Sequence, residues 1–144
     1  MNNTAESEVR QLIERWIPAV RARDVAAITA PYAEDIVAFD AVQSLQFIGK
    51  PAYSAHWKTC MEYCPGEMVF DVEQLKIHAT PDLAFAHWLN RCGPAQEQGG
   101  EDKTCYMRVS VGYKRIDGQW KVIHEHWSAP FDMESGAALF SLKP

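Results

Sequence analysis

Three adjacent residues with titratable side chains, His124, Glu125 and His126, follow a tight turn near the carboxyl end of the chain. The turn is Asp117-Gly118, a pair that readily adopts the positive backbone angles of a two-residue hairpin loop, and β-branched and aromatic residues flank it. Because side chains alternate across a strand, both histidines share one face and Glu125 lies on the other. The strand therefore presents either two imidazoles or one carboxylate to the interior.

The face that points inward decides what this strand can do. Alternation predicts that Val122 lies with the histidines, and that Ile123 and Trp127 lie with Glu125. Histidines facing inward could serve as acid and base or chelate a metal, and histidines facing outward belong to a subunit interface. A metal site needs a third ligand at a suitable position. The sequence points to none, so no metal is predicted.

Asp40 ends the short run from Ile36, which is typical of a strand. A carboxylate in an apolar cavity has a raised pKa because burial disfavours its charged form. Such a group can accept a proton from carbon and return it elsewhere, which makes Asp40 a candidate general base. The alternative is an aspartate at a strand end that accepts backbone hydrogen bonds.

Two other polar side chains lie on predicted strands. His87 lies between Ala86 and Trp88 on an inner strand, where it could be a core histidine bonded to a neighbour. Arg108 could bind an anionic ligand, or it could pair with Glu125 or Asp40 and serve the structure alone.

Large apolar side chains are predicted to form the core and the wall of a pocket for a small planar or cyclic ligand: Trp16, Tyr53, Trp57, Met61, Phe85 and Trp127. The sequence contains no Gly-rich phosphate-binding loop, no nucleophile elbow and no Ser, His and Asp in the order of a catalytic triad. No cofactor is therefore predicted.

The predicted helices lie in the first part of the sequence, and the long strands follow them. Apolar residues at helical spacing predict a helix over 7–23, interrupted by Pro18, and further helices over 25–32 and about 51–63. His56, in the third helix, and His78 are predicted to be surface residues. Strands are predicted over 36–40, 68–78, 83–92, 106–115 and 120–128. This order favours an α+β domain with helices on one face of a curved sheet.

Composition limits the classes of partner. The chain has 144 residues and a net charge of −5 without a basic run, so it is expected to be one domain over 1–144 that binds neither nucleic acid nor membranes. The polar segment 1–8 does not resemble a signal peptide. Four cysteines without C-x-x-C spacing are predicted to be reduced thiols of a cytoplasmic protein.

Several segments resemble the SnoaL-like, ketosteroid isomerase-like branch of the nuclear transport factor 2-like superfamily. They are Phe39-Asp40, Gly49-Lys50-Pro51-Ala52-Tyr53 with Trp57, Asp117-Gly118-Gln119-Trp120-Lys121, and the run from His124 to Pro130. The resemblance implies a cone-shaped fold in which N-terminal helices pack on a curved antiparallel sheet and enclose a pocket. It also implies a homodimer joined through the outer face of the sheet.

The resemblance also suggests roles for individual residues. Asp40 occupies a place like that of the general base of ketosteroid isomerase. A similar hairpin in the association domain of calmodulin-dependent kinase implies that Glu125 and Trp127 face inward and that His87 lies in the pocket. Ketosteroid isomerase stabilises its enolate with a tyrosine and a protonated aspartate. This chain has Trp16 at the first-helix position and no carboxylic acid on the facing strand, so steroid isomerisation is not expected.

Two functions follow as hypotheses. The first is a cofactor-independent isomerase, dehydratase or cyclase acting on a small apolar carbonyl compound. Asp40 would be its base, His87 or Glu125 a second acid or base, and Arg108 or Trp16 would hold the substrate oxygen. The second is a non-catalytic ligand-binding or dimerisation domain.

Overall fold

Within the described residues, three helices form the first layer of the fold. The computed structural model describes residues 4–144, so the first three residues of the polar segment 1–8 lie outside the described part. The helices are α1 (Thr4–Arg21), α2 (Val25–Thr29) and α3 (Lys50–Tyr63). Helix α1 continues through Pro18 into its last turn. It buries residues spaced three or four apart, which gives it one apolar face: Ala5, Val9, Ile13, Trp16 and Val20.

Local capping explains where the other two helices begin. The Asp24 side chain accepts a hydrogen bond from the backbone N–H of Ala27 at 3.1 Å and caps α2. Helix α2 ends at Thr29 and is shorter than predicted, because the chain is already extended from Tyr32. Helix α3 begins after Gly49, whose φ of 92° favours glycine.

In the part of the chain that the structure describes, six strands form one sheet in the order β2-β1-β6-β5-β4-β3. Their bounds are β1 (Tyr32–Phe39), β2 (Phe47–Ile48), β3 (Met68–Ala79), β4 (Leu83–Pro94), β5 (Cys105–Ile116) and β6 (Gln119–Ser128). Strands β3 to β6 form an antiparallel meander, and β1 adds to β6 in parallel. The predicted α+β class, with helices on a curved and mostly antiparallel sheet, is confirmed.

The predicted hairpin turn joins β5 to β6, and the register above it contains a bulge. Asp117 and Gly118 have φ angles of 51° and 78°. Tyr113 pairs with Val122 and Gly112 with His124, which leaves Ile123 as an extra residue on β6. Val122 is therefore buried on the inner face. The prediction that it shares the face of the histidines is wrong, because the bulge breaks the alternation.

The core lies between the helices and the inner face of the sheet. Its centre is a cluster of aromatic rings around Trp16, whose ring centroid lies 5.4–6.3 Å from those of Trp57, Phe70, Trp88 and Trp127. Within residues 4–144, no helix has the length and apolar character needed to cross a membrane.

Candidate functional site

A cavity of about 250 Å³ opens beside α3, between the first residues of β3 and the ends of β4 and β6. Most of its lining is apolar or aromatic. The residues are Arg23, Asp40, Tyr53, His56, Trp57, Cys60, Met61, Cys64, Pro65, Glu67, Met68, Val69, Phe70, Cys92, Gly93, Pro94 and Trp127.

Asp40 and His56 form a hydrogen-bonded pair in this lining. Asp40 Oδ2 contacts His56 Nε2, and Asp40 Oδ1 accepts a hydrogen bond from the backbone N–H of Ala41 at 2.9 Å. The two side chains are 17% and 6% exposed. The ring of Phe47 stacks on the imidazole, with 4.1 Å between the ring centroids. The cavity thus contains a carboxylate and an imidazole that are largely shielded from water.

The prediction that His56 is a surface residue is wrong. Helix α3 buries Tyr53, His56 and Trp57, which lie three and four residues apart on one face. The spacing from Tyr53 was therefore the signal in the sequence that could have identified His56. Its partner Asp40 comes from the segment after β1, so only the fold brings the pair together.

Cys60 lies one turn after His56 on the same face of α3. Its Sγ is 3.5 Å from His56 Nε2 and 4.0 Å from Nδ1. Burial, with a smaller effect from the charge of Asp40, raises the pKa of the Cys60 thiol to about 11. The thiol is therefore protonated at neutral pH, and it lies nearest the nitrogen that already binds Asp40. This geometry does not make His56 a relay between the carboxylate and a thiolate nucleophile.

Among residues 4–144, the same three side chains form the group that could hold a metal. Asp40, His56 and Cys60 offer oxygen, nitrogen and sulfur atoms that lie within 4.8 Å of one another. Zn²⁺ accepts this mixture of donors. A cation bound by all three would have to replace the hydrogen bond between Asp40 and His56, because His56 Nε2 is the nitrogen nearest to both other ligands.

Glu125 lies behind the cavity wall and faces the interior, as the resemblance implied. It is 2% exposed, and its Oε1 accepts hydrogen bonds from the Tyr53 hydroxyl at 2.8 Å and from Trp127 Nε1 at 2.6 Å. Burial raises the pKa of Glu125, and the charge of Asp40 adds to this, while the hydrogen bonds oppose it. Tyr53 and Trp127 line the cavity and Glu125 does not. Glu125 therefore holds two side chains of the cavity wall in place without lining the cavity itself.

The predicted pocket residues divide between the cavity and the core. Tyr53, Trp57, Met61 and Trp127 line the cavity. Trp16 does not reach the lining and packs edge-on against Trp57, with ring centroids 6.1 Å apart. The prediction that Trp16 contacts a ligand there is wrong, because the Trp57 and Trp127 rings pack between the helix and the cavity.

Three other predicted site residues lie on the outer face of the sheet. Phe85 is 53% exposed and His87 is exposed beside it, because β4 turns its alternate residues Ala84, Ala86 and Trp88 inward. Arg108 is exposed on β5 and donates from Nε to Ser128 Oγ at 3.2 Å, not to Glu125 or Asp40. The predictions that place Phe85, His87 and Arg108 in the pocket are wrong.

The two histidines of β6 also lie away from the cavity. His124 Nδ1 is 2.6 Å from the carbonyl oxygen of Val37 on β1. The ring centroid of Phe39 is 4.7 Å from that of His124 and 5.5 Å from that of His126. His126 is exposed. Neither of these histidines lines the cavity, whereas His56 does.

Both the sequence and the fold of this chain are similar to those of known proteins. The sequence profile of the SnoaL-like domain matches residues 9–132. The chain is 63% identical to a nuclear transport factor 2-like protein of unknown function from Pseudomonas putida KT2440, with a TM-score of 0.93 over 100% of this chain and 99% of that chain. No match is found among proteins with curated descriptions.

More distant structures share the fold. A proposed dehydratase of the nuclear transport factor 2-like family from Streptomyces avermitilis is 12% identical, with a TM-score of 0.72 over 88% of this chain and 96% of that chain. A proposed ketosteroid isomerase from Parabacteroides distasonis ATCC 8503 is 21% identical, with a TM-score of 0.67 over 88% and 92%. Since one fold carries many activities, these likenesses concern architecture alone.

Proposed function

From the chain's membership of the SnoaL-like family, which has the nuclear transport factor 2-like fold, we propose that it catalyses a cofactor-independent proton transfer on a small carbonyl compound. The observation that carries this proposal is the shielded Asp40–His56 pair in the lining of an apolar cavity. Isomerisation, dehydration and ring closure are the reaction classes that such a pair serves, since each removes a proton from one atom and delivers one to another.

In this mechanism His56 is the group that exchanges the proton. The carboxylate of Asp40 holds the proton on Nε2 of the neutral imidazole, which leaves the lone pair on Nδ1 as the base. Asp40 then stabilises the imidazolium that forms when His56 takes a proton from the carbon beside the carbonyl. Asp40 is the orienting partner in this mechanism, because its Oδ2 contacts His56 Nε2 and its Oδ1 is held by the backbone N–H of Ala41.

The cavity wall supports a small and mainly apolar substrate. Ligand pockets commonly measure ~300–1,000 Å³, and the volume here is about 250 Å³. The aromatic side chains of Tyr53, Trp57 and Trp127 offer flat surfaces for a ring. Burial among them also strengthens the attraction between Asp40 and a charged His56, because the local dielectric is low.

A non-catalytic ligand-binding domain is the second candidate. The observation that favours it is that both carboxylate oxygens of Asp40 already have a partner in the protein, the backbone N–H of Ala41 and the imidazole of His56. The cavity would then hold a ligand of the same chemistry without turnover.

Deuterium exchange separates the two functions. A panel of small cyclic ketones, beginning with cyclohexenone, is incubated with the protein in D₂O, and deuterium incorporation beside the carbonyl is followed by NMR. We expect the protein to accelerate exchange and His56→Gln to reduce the acceleration about 10²-fold or more. His87→Gln is the matched control, because His87 lies on the outer face of the sheet.

Saturation transfer from protein to ketone is measured on the same samples. Binding without accelerated exchange would overturn catalysis and support the binding domain. Exchange that persists at the wild-type rate in His56→Gln would show that the Asp40–His56 pair is not the catalytic group.

A further inference from the structure

We propose that Cys92 and Cys105 form an oxidisable thiol pair in the cavity wall, which a peroxide converts reversibly to a disulfide. The two residues are direct cross-strand partners in the antiparallel register of β4 and β5, and both are free thiols. Directly opposed residues of antiparallel strands have Cα atoms ~4.5–5.5 Å apart. Disulfides span ~4.4–6.8 Å between Cα atoms, so the spacing of directly opposed residues is compatible with the bond.

The pair is on the inner face of the sheet, at the edge of the cavity. Cys92 is half-buried, lines the cavity and packs against the core, and it is two residues from the fully buried Asn90. Directly opposed side chains point to the same face, so Cys105 projects beside Cys92. Cys105 is also half-buried, which leaves a route for a small oxidant.

Contacts next to the pair hold the two strand ends close together. A Cβ atom on Gly93 would lie 2.9 Å from Thr104 Cα and 3.0 Å from the Lys103 carbonyl oxygen. Only a glycine fits this approach. Arg91 Nε donates to Thr104 Oγ1 at 3.1 Å. Residues 91 and 93 of β4 are thus both held against residues 103 and 104, and this places Cys105 opposite Cys92.

The two thiols differ in chemical role. A hydrogen bond from Cys92 lowers the pKa of Cys105 to about 7, and the same contact together with burial raises the pKa of Cys92. Cys105 is therefore the thiol that reacts with peroxide, since the thiolate is the nucleophile. Its sulfur attacks hydrogen peroxide and becomes a sulfenic acid with release of one water. The Cys92 sulfur then displaces the hydroxyl as a second water, and the sulfur–sulfur bond forms.

This inference does not depend on the proposed function. A disulfide would tie the cavity wall at Cys92 to the first residue of β5, whatever the cavity binds. The oxidation state of the pair would then set how far the strand ends can separate around a ligand.

Peptide mapping of the full chain tests the proposal. The reduced protein is treated with hydrogen peroxide, remaining thiols are alkylated, and the digest is analysed by mass spectrometry. We expect a Cys92–Cys105 cross-linked peptide lighter by two hydrogen atoms, and its loss after dithiothreitol. Cys105→Ser should abolish the cross-link, and Cys92→Ser should leave a sulfenic acid at Cys105 that dimedone traps.

A Cys60→Ser/Cys64→Ser variant is the matched control, since it removes two thiols and leaves the pair intact. It should form the cross-link at the wild-type rate. Conversion of Cys105 to sulfinic acid while Cys92 stays a thiol would overturn the proposal, as would a disulfide that involves Cys60 or Cys64. The wild-type map decides the question even if a serine variant fails to fold.

Discussion

The buried carboxylate of Glu125 accepts the hydroxyl hydrogen of Tyr53 at 2.8 Å, across 72 residues of sequence. This contact joins the middle of β6 to α3 and fixes the Tyr53 side chain in the cavity wall. The same oxygen accepts the indole N–H of Trp127. One carboxylate therefore positions two of the aromatic side chains that line the cavity.

Replacement of Glu125 by Gln should change how stability depends on pH. Burial raises the pKa of Glu125 in the folded protein above its ordinary value of 4.5. Below about 4.5 the group is protonated in both states. As pH rises through the folded pKa, the unfolded chain has already released the proton, so the wild type loses stability. The glutamine side chain of the variant keeps an oxygen acceptor and does not titrate.

Urea unfolding of both proteins between about pH 5 and pH 8 measures this difference. The free energy of unfolding of the wild type should fall relative to that of Glu125→Gln as pH rises. Two curves that stay parallel over the range would contradict a raised pKa for Glu125.

Asp40→Asn should remove catalysis while leaving the fold in place. The asparagine side chain can still hydrogen-bond to the Ala41 N–H and to His56, so we expect the free energy of unfolding to change by no more than ~1 kcal/mol. It cannot stabilise a charged His56, and deuterium exchange should fall by about 10²-fold or more. A large loss of stability, with no exchange activity to lose, would show that Asp40 has a structural role instead.

Gly93→Ala should destabilise the protein more than Gly66→Ala. Both glycines have a positive φ, 148° at Gly93 and 95° at Gly66, but an added Cβ meets Thr104 and Lys103 only at Gly93. Gly66→Ala should lose only the free energy needed to hold alanine at a positive φ, about 1–3 kcal/mol. Thermal or urea unfolding of the two variants checks the order. Equal losses would mean that the strands part easily beside Cys92 and Cys105.

Phe85→Glu should lower the association of the protein if the outer face of the sheet joins two copies. Phe85 and Leu83 are 53% and 54% exposed on this face, where His78 stacks on Phe85 with ring centroids 4.8 Å apart. A charge introduced there would oppose apolar contact between subunits. Light scattering at several concentrations gives the mass of each variant. A dimer that withstands Phe85→Glu would place the interface elsewhere.

Cys60 should react with iodoacetamide more slowly than Cys64 at pH 8. Burial raises the pKa of Cys60 to about 11, so little thiolate is present, whereas Cys64 is exposed directly after the end of α3. Timed alkylation followed by peptide mapping gives the two rates. A faster reaction at Cys60 would revive it as a candidate nucleophile.

Local patterns in the sequence were sufficient to predict most of the elements. The Asp117-Gly118 turn, the amphipathic helix around Trp16 and the alternating strands on either side of the turn each depend on residues close together in the chain. The short strand β2 was not predicted, because two residues carry no pattern and their pairing with β1 is a tertiary contact. Residue patterns and family resemblance together identified the fold and the SnoaL-like branch.

The functional site could be predicted from the sequence only in part, because it depends on tertiary contacts. By itself the sequence singled out Asp40 and the aromatic residues Tyr53, Trp57 and Trp127 as features of a pocket, and all four line the cavity. It could not show that Asp40 meets His56, because that contact joins the residue after β1 to a residue of α3 that lies 16 positions later in the chain. Nor could it show the bulge at Ile123, which depends on the register between two strands. Side-chain type follows from sequence, whereas the partner of each side chain is decided by how the strands and helices pack.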